Sequence, residues 1–288
     1  MALISGTVVT TDVAPEISIN LASDLHQSYR KLAEILGVTR MDAVPEGGSV
    51  TVYASKLKGS KPSQVAEGVE IGLTEIQRTG TPVSMTLKKY RKLVTAEAIQ
   101  KTGRDVAIYD TDRALIQEVR KDVKADFFTA ILAGTGTATA GATLQAQLAN
   151  NWSALETYYD DSDVEPVHFV NPADVATYLG SASITLQNAF GMSYVEDFLG
   201  LGTLIISPSV TATKVVSTAK QNLHCAYVPA NGAIGQEFDM TTDETGLVGI
   251  THGRNLERAS IESLLITGVK FFAEEGAGVI IGTVTPSN

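Results

Sequence analysis

Four histidines, one cysteine and a run of carboxylates are the side chains of this 288-residue chain best equipped to bind a metal or attack a substrate. His26, His168, His224 and His252 do not stand at metal-ligand spacing from one another, and neither HExxH nor CxxC occurs. His168 falls inside a strand pattern and His224 sits beside Cys225, so both read as structural histidines with satisfied rings. Cys225, the single cysteine, excludes an intramolecular disulfide, fits a reducing compartment and reads as a small buried apolar residue. The run Tyr158-Tyr159-Asp160-Asp161-Ser162-Asp163 offers oxygen ligands for a hard cation. It lacks the glycine and terminal glutamate of a calcium loop and reads as a solvated loop. GTGTATAGAT, residues 134–143, resembles a phosphate-cradling loop only in glycine content. No Gly-Lys-Ser/Thr follows and no strand leads into it, so a flexible connection between two lobes is expected. No GxSxG elbow is present. No catalytic, cofactor-binding or metal-binding residue is assigned, and no cofactor is implied.

The cations are less scattered. In VSMTLKKYRKLVTAEAIQ, residues 83–100, Lys88, Lys89, Arg91 and Lys92 fall within five positions of a chain whose formal charge is −10. Residues 50–104 hold ten basic and four acidic residues; residues 126–288 hold five basic and seventeen acidic ones. One part of the chain is thus electrostatically complementary to another, which between copies favours head-to-tail association. The basic stretch has little aromatic interleaving beyond Tyr90, which argues against nucleic-acid recognition by stacking.

The elements that carry these residues follow from patterning. Residues 1–20, β-branched and interrupted by Pro15, read as an extended arm, followed by a short helix capped by Ser23 and ended by Gly37. The start lacks a basic region followed by a long apolar run, so no secretory signal is expected. EGGSVTVYAS reads as turn then strand, KLKGSKPSQVAEG as an exposed loop tip, and VEIGLTEIQRTGTPVSMTLKKYRKLV as a second strand run. Together these make a long two-stranded excursion with too little apolar surface to be stable alone. Residues 105–133 predict a helix of roughly 40 Å, N-capped by Asp105 and striped by Leu115, Val119, Val123, Phe127 and Ile131. Residues 144–250 alternate helix and strand patterns as an α/β lobe, and two apolar β-branched runs close the chain.

That order of elements resembles the major capsid protein of tailed double-stranded-DNA bacteriophages, the Hong Kong 97-type fold. GRDVAIYDTDRALIQEVRKDVKADFFTAILAG is similar to the family's spine helix. SIESLLITGVKFFAEEGAGVIIGTV is similar to its last peripheral-domain segment. The resemblance implies an α+β fold with an N-terminal arm and short helix over 1–45 and an extended β-hairpin loop over 46–104. It further implies a peripheral domain with the spine helix over 105–148, an axial α/β domain over 149–250, and C-terminal strands over 251–288 returning to the peripheral domain. It implies a non-enzymatic protein that self-assembles into pentamers and hexamers of an icosahedral shell. The shell would enclose double-stranded DNA by loose proximity, with separate scaffolding, portal and decoration proteins as partners. The implied location is the virion, with the host cytoplasm during assembly. Lys56, Lys58, Lys61, Arg78, Lys88, Lys89, Arg91 and Lys92 are the expected subunit-interface cations. The family's type member joins a loop lysine covalently to an asparagine. No asparagine and glutamate here align to that chemistry, so no crosslink is expected. An encapsulin-like nanocompartment shell and an α/β enzyme with an unrecognised site are the alternatives.

Overall fold

The computed structural model describes residues 10–38, 41–45, 47–58, 75–160, 164–179, 186–189, 192–242 and 245–285. The first element is one helix, Thr10–Leu36. From residue 10 it replaces the expected arm and short helix, and residues 1–9 lie outside the described residues. Val13, Ile17, Leu21 and Leu25 recur at every fourth position, a helical period that Pro15 and the β-branched residues obscured. Ala22, Leu25, Tyr29, Leu32 and Leu36 are buried in the main core. Gly37, at φ +70°, ends the helix, and the Val38 amide bonds back to the Ala33 carbonyl at 2.8 Å.

The spine helix runs Arg104–Leu132, beginning after Gly103 at φ +85°, so Asp105 lies inside its first turn and is not the cap. A separate short helix, Ala96–Thr102, precedes it, capped by the Thr95 side chain, which accepts from the Ala98 amide. Ile116, Val119, Val123, Phe127, Phe128 and Ile131 form the buried stripe of the spine helix. Phe127 meets Phe128, Phe169 and Phe271 edge to face at centroid distances of 5.4, 5.6 and 6.2 Å. One aromatic cluster therefore joins the spine helix to strands Pro166–Val170 and Lys270–Ala273, which belong to two different sheets.

A seven-stranded mixed sheet has the order Gly136–Thr137, Val279–Thr283, Lys214–Ala219, Pro166–Val170, Thr203–Ile206, Met192–Val195, Gln187–Ala189. Helices Leu144–Tyr159 and Pro172–Leu179 pack a second cluster against it, around Leu148, Val170, Val175 and Leu204. The glycine-rich segment is not the flexible connection expected. Gly136–Thr137 is its parallel edge strand, and a Cβ on Gly134 would lie 2.6 Å from Val279 side-chain atoms. Those glycines permit close approach to the closing strand. The closing strand itself enters this sheet instead of returning wholly to the spine-helix side.

A three-stranded sheet pairs Met41–Ala43, Leu223–Tyr227 and Lys270–Ala273. A four-stranded sheet runs Thr241–Thr242, Val248–Asn255, Ser260–Thr267, Lys88–Thr95. A separate two-stranded hairpin pairs Ser49–Lys58 with Glu75–Ser84 in register from Ser49↔Ser84 to Lys58↔Glu75. Among the described residues, no helix is long and apolar enough to cross a membrane.

Candidate functional site

The expected loop splits in two. At the hairpin's base the chain turns into the body: Met85 is buried with Val44, Val228 and Phe272, and Lys270 Nζ donates to the Ser84 carbonyl at 3.1 Å. The basic stretch Lys88–Thr95 then becomes an edge strand of the four-stranded sheet and pairs along its whole length with Ser260–Thr267. Alternation divides its side chains between two faces.

On one face, Lys88, Tyr90 and Lys92 reach the spine helix. Lys88 Nζ pairs with Asp126 at 2.6 Å, and the Tyr90 hydroxyl donates to Asp122 Oδ2 at 2.7 Å. Lys92 Nζ forms an ion pair with Asp112 and donates to Thr111 Oγ1 at 2.7 Å and to the Ile108 carbonyl at 3.0 Å. Burial holds the Lys92 amine below its usual range, with Asp112 opposing that shift. Burial also pushes the Tyr90 phenol above its usual range, and the bond to Asp122 adds to the effect.

On the other face, Arg91 grips Glu262 with two bonds, Nη2–Oε1 at 2.5 Å and Nε–Oε2 at 3.1 Å. The Arg91 bonds, with a third from Asn255 at 2.6 Å, hold the Glu262 carboxyl below the usual carboxylate range. Lys89 is exposed and has no acidic partner among the described residues. The expectation that all four cations wait on an unsupported ribbon is therefore corrected for Lys88, Arg91 and Lys92. Their counter-charges sit on the spine helix and the neighbouring strand, close in space but distant in sequence.

The hairpin does project. Among the described residues its two strands pair only with each other, and beyond Val50 and Val83, which pack at its base, it exposes apolar surface. Tyr53 is 53% and Ile76 62% exposed. A Cβ on Gly80 would lie 3.1 Å from the Tyr53 ring, so the ring lies across the facing glycine. The backbones of Lys56, Lys58 and Arg78 lie on these strands, opposite Gln77, Glu75 and Ser55. Lys61 lies outside the described residues. Charge counting passed over Tyr53 and Ile76. Their signal in the sequence was apolar residues on a two-stranded ribbon.

The residues first considered for chemistry have structural partners. His168 is fully buried, its Nε2–H donating to the Leu201 carbonyl at 3.0 Å and its Nδ1 accepting from Ser217 at 2.7 Å. Burial lowers its pKa to about 4, so the ring is neutral. Ser217 also accepts from Asn151 at 2.9 Å, and Asn151 accepts from Gln147 at 2.8 Å, which completes a buried polar chain. His224 lies 2.9 Å from Glu274, His252 2.7 Å from Ser263, and His26 3.2 Å from Thr245. Cys225 is buried, which raises its thiol above the usual range. Asp160 caps helix Leu144–Tyr159 at φ +46°, while Asp161, Ser162 and Asp163 lie outside the described residues. Among the described residues, no group of three or more His, Cys, Asp or Glu is placed to hold a metal.

No family model matches the chain, and no curated protein sequence matches it. Solved structures do match. A protein of Gordonia phage Cozz aligns with a TM-score of 0.58 at 12% identity, over 88% of this chain and 87% of that one. The holo-SrpI encapsulin complex from Synechococcus elongatus aligns at 0.57 and 13%, over 90% and 89%. The capsid of cyanophage P-SCSP1u aligns at 0.55 and 9%, over 88% of each chain. Similarity at this identity, sustained along nearly the whole chain, shows the fold: an α+β fold of the Hong Kong 97 type.

Proposed function

We propose that this chain is a structural shell protein, the major capsid protein of a tailed double-stranded-DNA bacteriophage, and that it assembles as pentamers and hexamers into an icosahedral shell. The observation that carries this reading is the projecting hairpin, ten residue pairs long, with Tyr53 and Ile76 exposed on a fold shared with a phage capsid. A lone two-stranded ribbon is marginal in water. Laid across a neighbouring copy it gains a second layer, and such a heterologous contact repeats around a ring until it closes. The hairpin Ser49–Ser84 is then the extended loop, with Lys56, Lys58, Lys61 and Arg78 as its interface cations and Lys89 a further one on the body. Lys88, Arg91 and Lys92 serve within the subunit, fixing the basic strand to the spine helix and to Glu262. The spine helix Arg104–Leu132 forms the peripheral domain with strands Val248–Asn255 and Ser260–Thr267, and the seven-stranded sheet, edged by Gly136–Thr137 and entered by the closing strand Val279–Thr283, forms the axial domain.

The role is structural, without catalysis. DNA is held by loose proximity inside a wall of net negative charge, and scaffolding, portal and decoration proteins are separate partners. The likeness to an encapsulin complex supports a second reading, a nanocompartment shell around protein cargo. Electron microscopy of the purified chain tests the first reading: closed shells of uniform diameter are expected. Nuclease-protected DNA inside them supports the capsid, and co-purifying protein cargo supports the nanocompartment. A chain that remains monomeric at high concentration refutes both.

A further inference from the structure

A cavity of about 320 Å³ lies between the first helix and the spine helix, lined by Asp24, Tyr109, Arg113, Ile116, Gln117 and Arg120. The last five stand on the spine helix at spacings of four, three, one and three, which puts them on one face. Arg113 and Arg120 lie about 10 Å apart along the helix axis, within the combined reach of two arginine side chains.

Neither guanidinium is fully answered within the subunit. Arg113 is exposed, and no described carboxylate forms an ion pair with it. Arg120 Nη2 donates to the Ser28 hydroxyl, which itself donates to the Asp24 carbonyl at 2.8 Å. The buried Arg120 Nε has no acceptor among the described residues. Burial holds the Arg120 guanidinium below its usual range, and the nearby Asp24 carboxylate opposes that shift.

Two guanidinium forks, the Gln117 amide and the Tyr109 hydroxyl offer more donors than a planar carboxylate can use, and they suit a tetrahedral oxyanion. Asp24 narrows the choice further. Its carboxylate repels an oxyanion without a proton and accepts a hydrogen bond from one that keeps a P–OH.

We propose that this cavity binds a protonated phosphate group, held by Arg113 and Arg120 and selected by Asp24. Bound there, the group ties the first helix to the spine helix. Its source is free phosphate or the terminal monoester of a nucleotide, because the diester backbone of a nucleic acid has no proton to give Asp24. The site stands apart from the shell-forming reading, and its failure leaves that reading untouched.

Calorimetric titration of the full chain at about pH 6, where about half of a phosphate monoester keeps its proton, tests the site. Inorganic phosphate is expected to bind with one-to-one stoichiometry. Sulfate, of the same shape but without a proton, should bind about ten-fold more weakly. Arg113→Gln, an exposed change that leaves the fold intact, should weaken phosphate about ten-fold, the scale of one charge-assisted hydrogen bond. Asp24→Asn should bring sulfate level with phosphate. A deoxynucleoside monophosphate that binds as tightly as inorganic phosphate identifies the nucleotide as the source, and one that binds more weakly identifies free phosphate. Four results overturn the proposal: equal affinity of the parent chain for phosphate and sulfate, full affinity in Arg113→Gln, a preference for phosphate that survives Asp24→Asn, or tight binding of a duplex that lacks terminal phosphates.

Discussion

Asp112 is 1% exposed and faces the Lys92 ammonium, itself 12% exposed, at the contact of the basic strand with the spine helix. Asp112→Ala leaves that ammonium the Thr111 hydroxyl and the Ile108 carbonyl as acceptors but no counter-charge. Breaking a buried pair from one side costs about 3–5 kcal/mol. The surviving acceptors, and the water that reaches Lys92, place the expected loss at the low end, about 3 kcal/mol. Lys92→Met is the worse change, because it strands a carboxylate with almost no access to water, and about 4–5 kcal/mol is expected. Lys92→Met with Asp112→Leu removes both charges and fills the space, and should fall within about 1 kcal/mol of the parent. The assay is equilibrium urea unfolding of the unassembled subunit, with the four proteins closing a double-mutant cycle. In a thermal melt, Asp112→Ala should lose roughly 6–10 °C. Refutation is either a single variant within 1 kcal/mol of the parent or a double variant whose loss equals the sum of the singles. Either result would mean that the pair does not fasten the strand to the helix.

His168 sets an acid limit on stability. Its folded pKa of about 4 lies below the ordinary 6.5, so the unfolded chain binds the extra proton. Its share of stability is complete above pH 6.5, falls as pH drops from 6.5 to 4 and is flat below. The total is about 3 kcal/mol at 1.36 kcal/mol per pH unit. Urea midpoints measured across that range should show the slope, and His168→Gln, which keeps one donor and one acceptor, should flatten it. Gly282 allows no side chain, since a Cβ there would lie 1.9 Å from Gln147 Nε2 and 2.3 Å from Asn151 Oδ1. Gly282→Ala should cost about 1–3 kcal/mol by denaturant titration. Phe127→Ala removes the ring shared by three aromatic partners and should cost about 3–5 kcal/mol, again read by urea unfolding.

What the sequence made legible was periodic and local. Leu115 to Ile131 marked the spine helix because a four-residue spacing survives any tertiary context. The strand runs around Val167, Leu204, Lys214 and Leu223 were bounded by turn residues that the structure retains. The failures had a common cause: local composition was read without its distant partner. Pro15 masked a helical stripe at Val13, Ile17 and Leu21. The glycines at 134 and 136 signalled flexibility until Val279 was seen pressed against them. The cations at 88, 91 and 92 looked unanswered because Asp126, Glu262 and Asp112 lie 20 to 171 residues away, a separation that no window detects.

That last misreading shows where to look for contacts between copies. Net charge along a segment indicates assembly only after the charges satisfied within the chain are removed. Subtracting the pairs of Lys88, Arg91 and Lys92 leaves Lys89 on an open edge. Subtracting the buried apolar residues leaves Tyr53 and Ile76 exposed on the hairpin. Both remainders lie exposed on the subunit that carries them. A single subunit thus carries an exposed cation on an edge strand and exposed apolar side chains along a hairpin ten residue pairs, about 33 Å, long. In the proposed shell, a hairpin of that reach would make its contact with a neighbouring copy, and such a heterologous contact repeats until it closes into a ring.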